Sequence, residues 1–168
     1  NATSGLLGGY LPEEAAREVF GRAESVAGGV FAPRGRATPV AGGFRVSGRW
    51  PFASGCRHCD WLMGGCVVEE DGGVRRLANG MPDVVLMLAP AAEVIVHDTW
   101  RVTGLRATGS HDIEFPALRV ASGHAASVFS GAPVATGPLY AFPLFGLLAI
   151  AIAGVNLGIG RGALDDLA

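Results

Sequence analysis

The chain has 168 residues, 49% of them hydrophobic and 17% charged, with a formal net charge of −2. Its length is that of one domain with one core. The 13 basic and 15 acidic residues are nearly balanced, and no basic cluster interrupts them. This distribution excludes the electrostatic signature of a nucleic-acid or anionic-membrane binder, so we predict neither partner.

Cysteine usage and the first residues indicate a reducing compartment. The chain has three cysteines, an odd number that argues against a disulfide-stapled secreted domain. Cys56, Cys59 and Cys66 lack the second cysteine or histidine pair that would complete a zinc site. No basic segment followed by an apolar run resembles a signal peptide. We therefore predict buried thiols, no metal and a cytoplasmic location.

The elements read in chain order as a short helix, a series of strands and a long apolar helix. Residues 1–9 are small and are expected to be irregular, and residues 11–20 form a helix with Pro12 in its first turn. From residue 26 to residue 120, short apolar runs alternate with Gly and Pro, which is typical of a β-barrel or sandwich. Residues 122–138 are predicted to be a loop.

The last predicted helix covers residues 143–160 and is apolar on every side. About 20 apolar residues span a bilayer, so a transmembrane helix is one interpretation. Four glycines and Asn156 lower its hydrophobicity, and Asp165 and Asp166 follow closely. We favour a buried helix of a bundle, which has the same pattern.

Residues 43–55 contain the first candidate site. Phe44 and Val46 alternate with Arg45 and Ser47, as in a half-buried strand, and the segment continues into aromatics, a hydroxyl and glycines. Such a strand end is suited to a flat ring. An amphipathic strand with a hydrophobic end is the alternative interpretation.

Two segments together resemble the acyl-CoA dehydrogenase superfamily. Residues 52–55 (Phe-Ala-Ser-Gly) match a strand end that lies along the flavin in that family. Residues 104–115 match a later run with Gly, Arg, Ser/Thr and Phe at set spacings. Residues 47–55 and 98–112 are most similar to the oxygenase component of two-component flavin-dependent monooxygenases, such as 4-hydroxyphenylacetate 3-hydroxylase.

The resemblance implies a mainly β fold. We expect the end of an N-terminal helical domain (1–25), a flavin-binding middle-domain β-barrel (26–121), a loop (122–138) and the first helix of a C-terminal helical bundle (139–168). The chain is then a fragment, inactive by itself, of a protein that forms homodimers or homotetramers.

The resemblance also implies a flavin, FMN or FAD, and places nine residues around it. It directs the hydroxyl or backbone N–H of Ser54 at the N5/O4 edge of the flavin. Apolar walls from Trp50, Phe52 and Trp100 would keep water out. The nine residues are Trp50, Phe52, Ser54, Gly55, Trp100, Arg106, Thr108, Ser110 and His111.

Three functions follow as hypotheses. In the first, the parent protein hydroxylates an aromatic or cyclic small molecule with O₂ and reduced flavin from a separate reductase. In the second, it oxidises an acyl thioester with FAD, and in the third the chain is a non-catalytic interaction module. The catalytic acid–base residue is expected beyond Ala168, because the family carries it in the later helical domain.

Overall fold

The computed structural model describes residues 2–167. The helices are α1 (Ala2–Leu7), α2 (Glu13–Phe20), α3 (Pro138–Ala141) and α4 (Leu144–Asp165). The strands are β1 (Ala27–Val40), β2 (Gly43–Ala53), β3 (Trp61–Glu70), β4 (Gly73–Val74), β5 (Val84–Pro90), β6 (Ile95–His97), β7 (His111–Ala121) and β8 (Ala125–Ala126). The chain divides into two compact units after Val134.

The N-terminal residues are more regular than the sequence predicts. Helix α2 confirms the predicted helix, with Pro12 directly before it and acidic residues in its first turn. Within the described residues, the expectation of an irregular start is wrong, because α1 and a 3-10 turn, Gly8–Tyr10, occupy residues 2–10. Leu7 is buried, so packing stabilises a helix that local composition does not predict.

The strands form one mixed sheet in the order β6-β7-β2-β1-β3-β5-β8, with β4 on β3. Strands β1 and β3 are parallel, and the other neighbours are antiparallel. Strand β5 and the middle of β3 are almost continuously buried, as expected near the centre of a sheet. The series of strands predicted between residues 26 and 120 is present as β1 to β7.

The closed barrel expected from the sequence is not formed. Strands β6 and β8 end the path, and among the described residues they do not pair with each other. They have three and two residues, too few to close the sheet along its length. Regular strand spacing predicts many short strands but does not distinguish a closed barrel from an open sheet.

The core lies on the inner face of β2, β3, β5 and β7. Trp50 and Phe115 are its largest aromatic residues, 0% and 1% exposed, with ring centroids 5.0 Å apart at 65°. The indole Nε1 of Trp50 donates to the Gly65 carbonyl at 2.8 Å. Gly64 and Gly48 leave room for the indole, because a Cβ at either position would lie within 2.8 Å of a ring atom.

The second unit consists mainly of α4. This helix has 22 residues and a mean hydropathy of 1.8 in its most apolar window, so by length and composition it is able to cross a membrane. It extends beyond the predicted helix, to Asp165. The division of the chain into four parts stays a prediction, and its terminal residues Asn1 and Ala168 lie outside the described residues.

Candidate functional site

The two segments singled out in the sequence meet at one end of the sheet. Strands β2 and β7 are antiparallel neighbours, and Ala53 pairs with His111. Beyond this pair, the backbone N–H of Gly55 donates to the Thr108 carbonyl at 2.8 Å. Gly55 has a φ of 74°, a left-handed conformation that glycine adopts without steric cost. The turn after β2 is thereby joined to the loop before β7.

Three hydroxyl groups form a continuous row across this junction. The Oγ atoms of Ser54 and Ser110 are 2.7 Å apart, and Ser110 Oγ is 2.8 Å from Thr108 Oγ1. Thr108 Oγ1 in turn donates to the Leu105 carbonyl at 2.8 Å. Ser110 is buried whereas Ser54 is exposed. The row therefore passes through a buried serine and ends at an accessible one.

Of the two groups that the resemblance offers at Ser54, the hydroxyl is the accessible one. The backbone N–H of Ser54 donates to the Phe52 carbonyl at 2.9 Å. A ligand would have to break that bond to use the N–H. The side-chain oxygen keeps lone pairs free beside its bond to Ser110.

An exposed aromatic pair stands next to the hydroxyl row. The register of β2 against β7 shifts between Trp50 and Ala53, and within that bulge Phe52 has a φ of 66°. The bulge turns the Phe52 ring outward, where it is 67% exposed. It meets Trp100 edge-to-face, with ring centroids 6.1 Å apart and planes at 90°. A positive φ at a bulky residue is strained, which is typical of functional sites.

Backbone and side-chain contacts hold Trp100 in place. Its indole Nε1 donates to the Leu105 carbonyl at 3.1 Å, and its backbone N–H donates to His111 Nδ1 at 3.1 Å. His111 is 6% exposed. Because Nδ1 accepts this hydrogen bond, the neutral ring carries its proton on Nε2. Asp98 Oδ1 lies 3.4 Å from the same Nδ1, a contact that is not an ion pair in that state.

Arg106 lies at an open cavity beside Trp100. The cavity has a volume of about 440 Å³ and is lined by Trp100, Arg101, Val102, Thr103 and Arg106. Two guanidinium groups and an indole make it suited to an anionic or aromatic group. Nearby, Asp98 pairs with Arg57 at 3.0 Å and with Arg101 at 3.5 Å.

Trp50 is the one predicted flavin residue that the structure keeps away from this cluster. The sequence places it in the flavin wall, but its ring is fully buried against Phe115. Trp50 precedes the bulge, and strand alternation directs its ring to the core. Alternation would place Phe52 on the same face, but the bulge turns Phe52 outward. Trp50 thus shapes the strand end from inside the sheet.

Leu105 is a site residue that the sequence analysis missed. It has a φ of 54° and is 79% exposed, and its carbonyl accepts from both Trp100 and Thr108. An apolar residue between Gly104 and Arg106 carries no polar signal. Leu105 contributes to the site through its backbone carbonyl. A sequence motif specifies side chains and gives no information about such a group.

The thiols near the site are protonated and free. Burial is the largest cause that raises the pKa of Cys56 and of Cys59 above the usual value of 9.0. Cys66 lies apart in β3, and burial raises its pKa to about 12. A raised pKa keeps a thiol in the less reactive neutral form. No group of three potential metal ligands is found within residues 2–167.

Sequence comparison finds flavin-dependent relatives. No protein-family model matches the chain. It is 31% identical to indole-3-acetate monooxygenase of Pseudomonas putida, over 94% of this chain and 39% of that protein. It is 32% identical to the oxygenase component of FADH₂-dependent resorcinol hydroxylase of Rhizobium sp., over 92% of this chain and 38% of that protein. The chain thus spans about two fifths of the length of these relatives.

Solved structures agree with the sequence relatives. XiaF from Streptomyces sp., determined with FADH₂ and glycerol, aligns over 96% of this chain and 41% of its own, with a TM-score of 0.76 and 32% identity. The HsaA monooxygenase from M. tuberculosis aligns over 83% of this chain and 36% of its own, with a TM-score of 0.72 and 28% identity. The likeness therefore covers both sequence and fold.

Proposed function

Since the chain is homologous to the oxygenase components of two-component flavin-dependent monooxygenases, we propose that it is the flavin-binding segment of such an oxygenase. The observation that supports this most directly is the 2.7 Å contact between the Ser54 and Ser110 hydroxyls. It joins two chain segments, each of which resembles a flavin-contacting motif, at one accessible surface beside exposed aromatic rings.

The residues present fit a flavin. An isoalloxazine ring needs an apolar surface for its face and polar groups for its edge. Phe52 and Trp100 supply rigid aromatic surface, and the Ser54 hydroxyl supplies a polar atom close to them. Arg106 offers a cation for a phosphate or a ring oxygen. In this proposal FMN and FAD are both possible cofactors.

When bound in reduced form, flavin supplies the electrons that activate O₂ for hydroxylation of a substrate. In this proposal, the residues of this chain bind the flavin, orient it and exclude water. Phe52 and Trp100 pack on the ring and exclude water, which strengthens polar contacts at the ring edge. Ser54 orients that edge. Gly55 allows the backbone to turn close to the ligand without a side chain in the way.

The proposal includes partners and setting. A separate reductase would deliver reduced flavin, and the substrate would be an aromatic or cyclic small molecule bound near the ring. The names of two relatives, resorcinol hydroxylase and indole-3-acetate monooxygenase, give aromatic molecules as their substrates. This favours hydroxylation over acyl thioester oxidation. Assembly as a homo-oligomer, with α4 in a helical bundle, and a cytoplasmic location belong to the same proposal.

Anaerobic titration of the 168-residue chain with oxidised and reduced FMN and FAD tests the proposal. We expect saturable changes in flavin absorbance and fluorescence. Ser54→Ala and Phe52→Ala should each weaken binding about tenfold, the effect of losing roughly one hydrogen bond or one aromatic contact. Ser47→Ala, an exposed serine of β2, is the matched control and should bind as wild type.

Two results would overturn the proposal. If neither redox form of either flavin binds at high micromolar concentration, the interaction-module hypothesis is favoured instead. If flavin binds but the Ser54 and Phe52 variants match the Ser47 control, the flavin site lies elsewhere on the chain.

A further inference from the structure

The hydroxyl row at the site has a fixed direction. Thr108, Ser110 and Ser54 each have one hydroxyl proton, and the row contains three hydrogen bonds. A carbonyl oxygen accepts and never donates. The bond to the Leu105 carbonyl therefore takes the Thr108 proton, so Ser110 must donate to Thr108, and Ser54 must donate to Ser110. Only this assignment makes all three bonds.

The direction determines what Ser54 presents to a ligand. Its single proton is engaged with Ser110, so its oxygen faces the exterior with lone pairs alone. Ser54 is exposed and Ser110 is buried. The free end of the row is thus a hydrogen-bond acceptor.

We propose that Thr108 is a positioning residue that, through Ser110, holds Ser54 as an acceptor and so makes the site select reduced over oxidised flavin. The inference rests on the proposed function. Flavin N5 carries a proton in the reduced ring and a lone pair in the oxidised ring. A Ser54 oxygen with lone pairs outward matches the N5–H of the reduced ring and opposes the N5 lone pair of the oxidised ring.

Counting hydrogen bonds shows the size of the effect. With reduced flavin, the row keeps its three internal bonds and Ser54 accepts a fourth. To donate its proton to N5 of the oxidised ring, Ser54 must instead accept a hydrogen bond from Ser110. Ser110 must then accept one from Thr108, so Thr108 no longer donates to the Leu105 carbonyl. The oxidised complex has one hydrogen bond fewer, so we expect reduced flavin to bind at least about fivefold more tightly.

The test measures the ratio of the dissociation constants for oxidised and reduced flavin. Thr108→Val removes the acceptor for the Ser110 proton, which is then free to turn toward Ser54. Ser54 can then donate outward, and the ratio should fall about fivefold. The same change appears as a shift of about 20 mV in the midpoint potential of the bound flavin. Ser110→Ala frees Ser54 in the same way and should also lower the ratio.

Two controls isolate the proton direction from general damage. Thr108→Ser keeps the hydroxyl and should retain the wild-type ratio. Thr38→Val makes the same substitution at an exposed position of β1 and should leave the ratio unchanged. A loosened site that merely binds less flavin would weaken both redox forms equally, so the ratio would stay constant.

The outcomes separate this inference from the function on which it rests. Absence of binding by both redox forms to the wild-type chain overturns the proposed function. Binding of both forms with equal affinity overturns the selection. Wild-type selection that Thr108→Val and Ser110→Ala leave intact shows that the hydroxyl row does not cause it, and this inference is then wrong while the proposed function stands.

Discussion

Phe52 and Trp100 meet edge-to-face at the end of the sheet, with ring centroids 6.1 Å apart, although they lie 48 positions apart in sequence. The pair forms because a bulge in β2 gives Phe52 a left-handed backbone and turns its ring outward. The Leu105 carbonyl and His111 hold Trp100 opposite it. The site thus accepts local strain to expose an aromatic surface.

Phe52→Gly should be more stable than Phe52→Ala. Both variants lose the ring, but alanine keeps a Cβ at a φ of 66°, where it clashes with the backbone. We expect the free energy of unfolding of the glycine variant to be higher by about 1 kcal/mol in urea denaturation. Both should lose flavin affinity alike. Greater stability of the alanine variant would contradict a left-handed backbone at this residue.

The outward orientation of Phe52 could not be predicted from the sequence pattern. Alternation along β2 predicts which residues face the core as far as Trp50. The bulge after Trp50 adds one position and reverses the pattern, so adjacent aromatics of one motif serve different purposes. The motif correctly predicted that residues 52–55 and 104–115 meet, because both belong to neighbouring strand ends. The motif placed Trp50 in the flavin wall, whereas the alternation of the strand directs it to the core.

Gly64→Ala should destabilise the protein through Trp50. A Cβ at position 64 would lie 2.5 Å from the indole Cζ2, an overlap that forces core side chains to move. We expect a cost of about 3 kcal/mol in the free energy of unfolding. Gly73→Ala is the matched control, because nothing lies within 4 Å of its Cβ, and should change stability by less than about 0.5 kcal/mol.

A double-mutant cycle with Trp50→Phe identifies the clash. The smaller ring leaves a cavity and removes the hydrogen bond to the Gly65 carbonyl, which together should cost about 3 kcal/mol. Combined with Gly64→Ala, it removes the overlapping ring atoms, so the double variant should be about 2 kcal/mol more stable than the sum of the single changes predicts. Strict additivity would show that the methyl group meets something other than the indole.

His111→Leu should disorder Trp100, because it removes the acceptor of the Trp100 backbone N–H. An unpaired N–H in a half-buried position costs about 1–3 kcal/mol. His111→Asn is the matched variant, since its amide oxygen can occupy the place of Nδ1. We expect denaturation and flavin titration to rank wild type first, asparagine next and leucine last. Equal losses in both variants would indicate that the ring as a whole, rather than Nδ1, supports the site.

The sheet was predicted better than its closure. Apolar runs in β3 and β5 identify central strands, and their Gly and Pro boundaries mark the ends. Pairing between distant edges depends on strand length and twist, which composition does not encode. Helix α1 was missed for a related reason: its stability comes from burial of residues such as Leu7, not from local helix propensity.

Alkaline pH should destabilise the wild-type protein more steeply than Cys66→Ala. Burial raises the pKa of the Cys66 thiol from 9.0 to about 12 in the folded state. Above pH 9 the unfolded chain releases this proton while the folded protein keeps it, so the free energy of the unfolded state falls relative to that of the folded state as pH rises. The stability present below pH 9 is therefore lost progressively toward pH 12, by about 1 kcal/mol per pH unit.

Urea denaturation at several pH values between 9 and 12 measures this slope. Cys66→Ala should flatten it, whatever its stability at neutral pH, because other titrating groups contribute equally to both proteins. Val68→Ala removes a buried side chain from the same strand but keeps the thiol, so it should retain the wild-type slope. If the slopes of wild type and Cys66→Ala coincide, the folded thiol ionises as readily as the unfolded one, and Cys66 is not sealed in the sheet core.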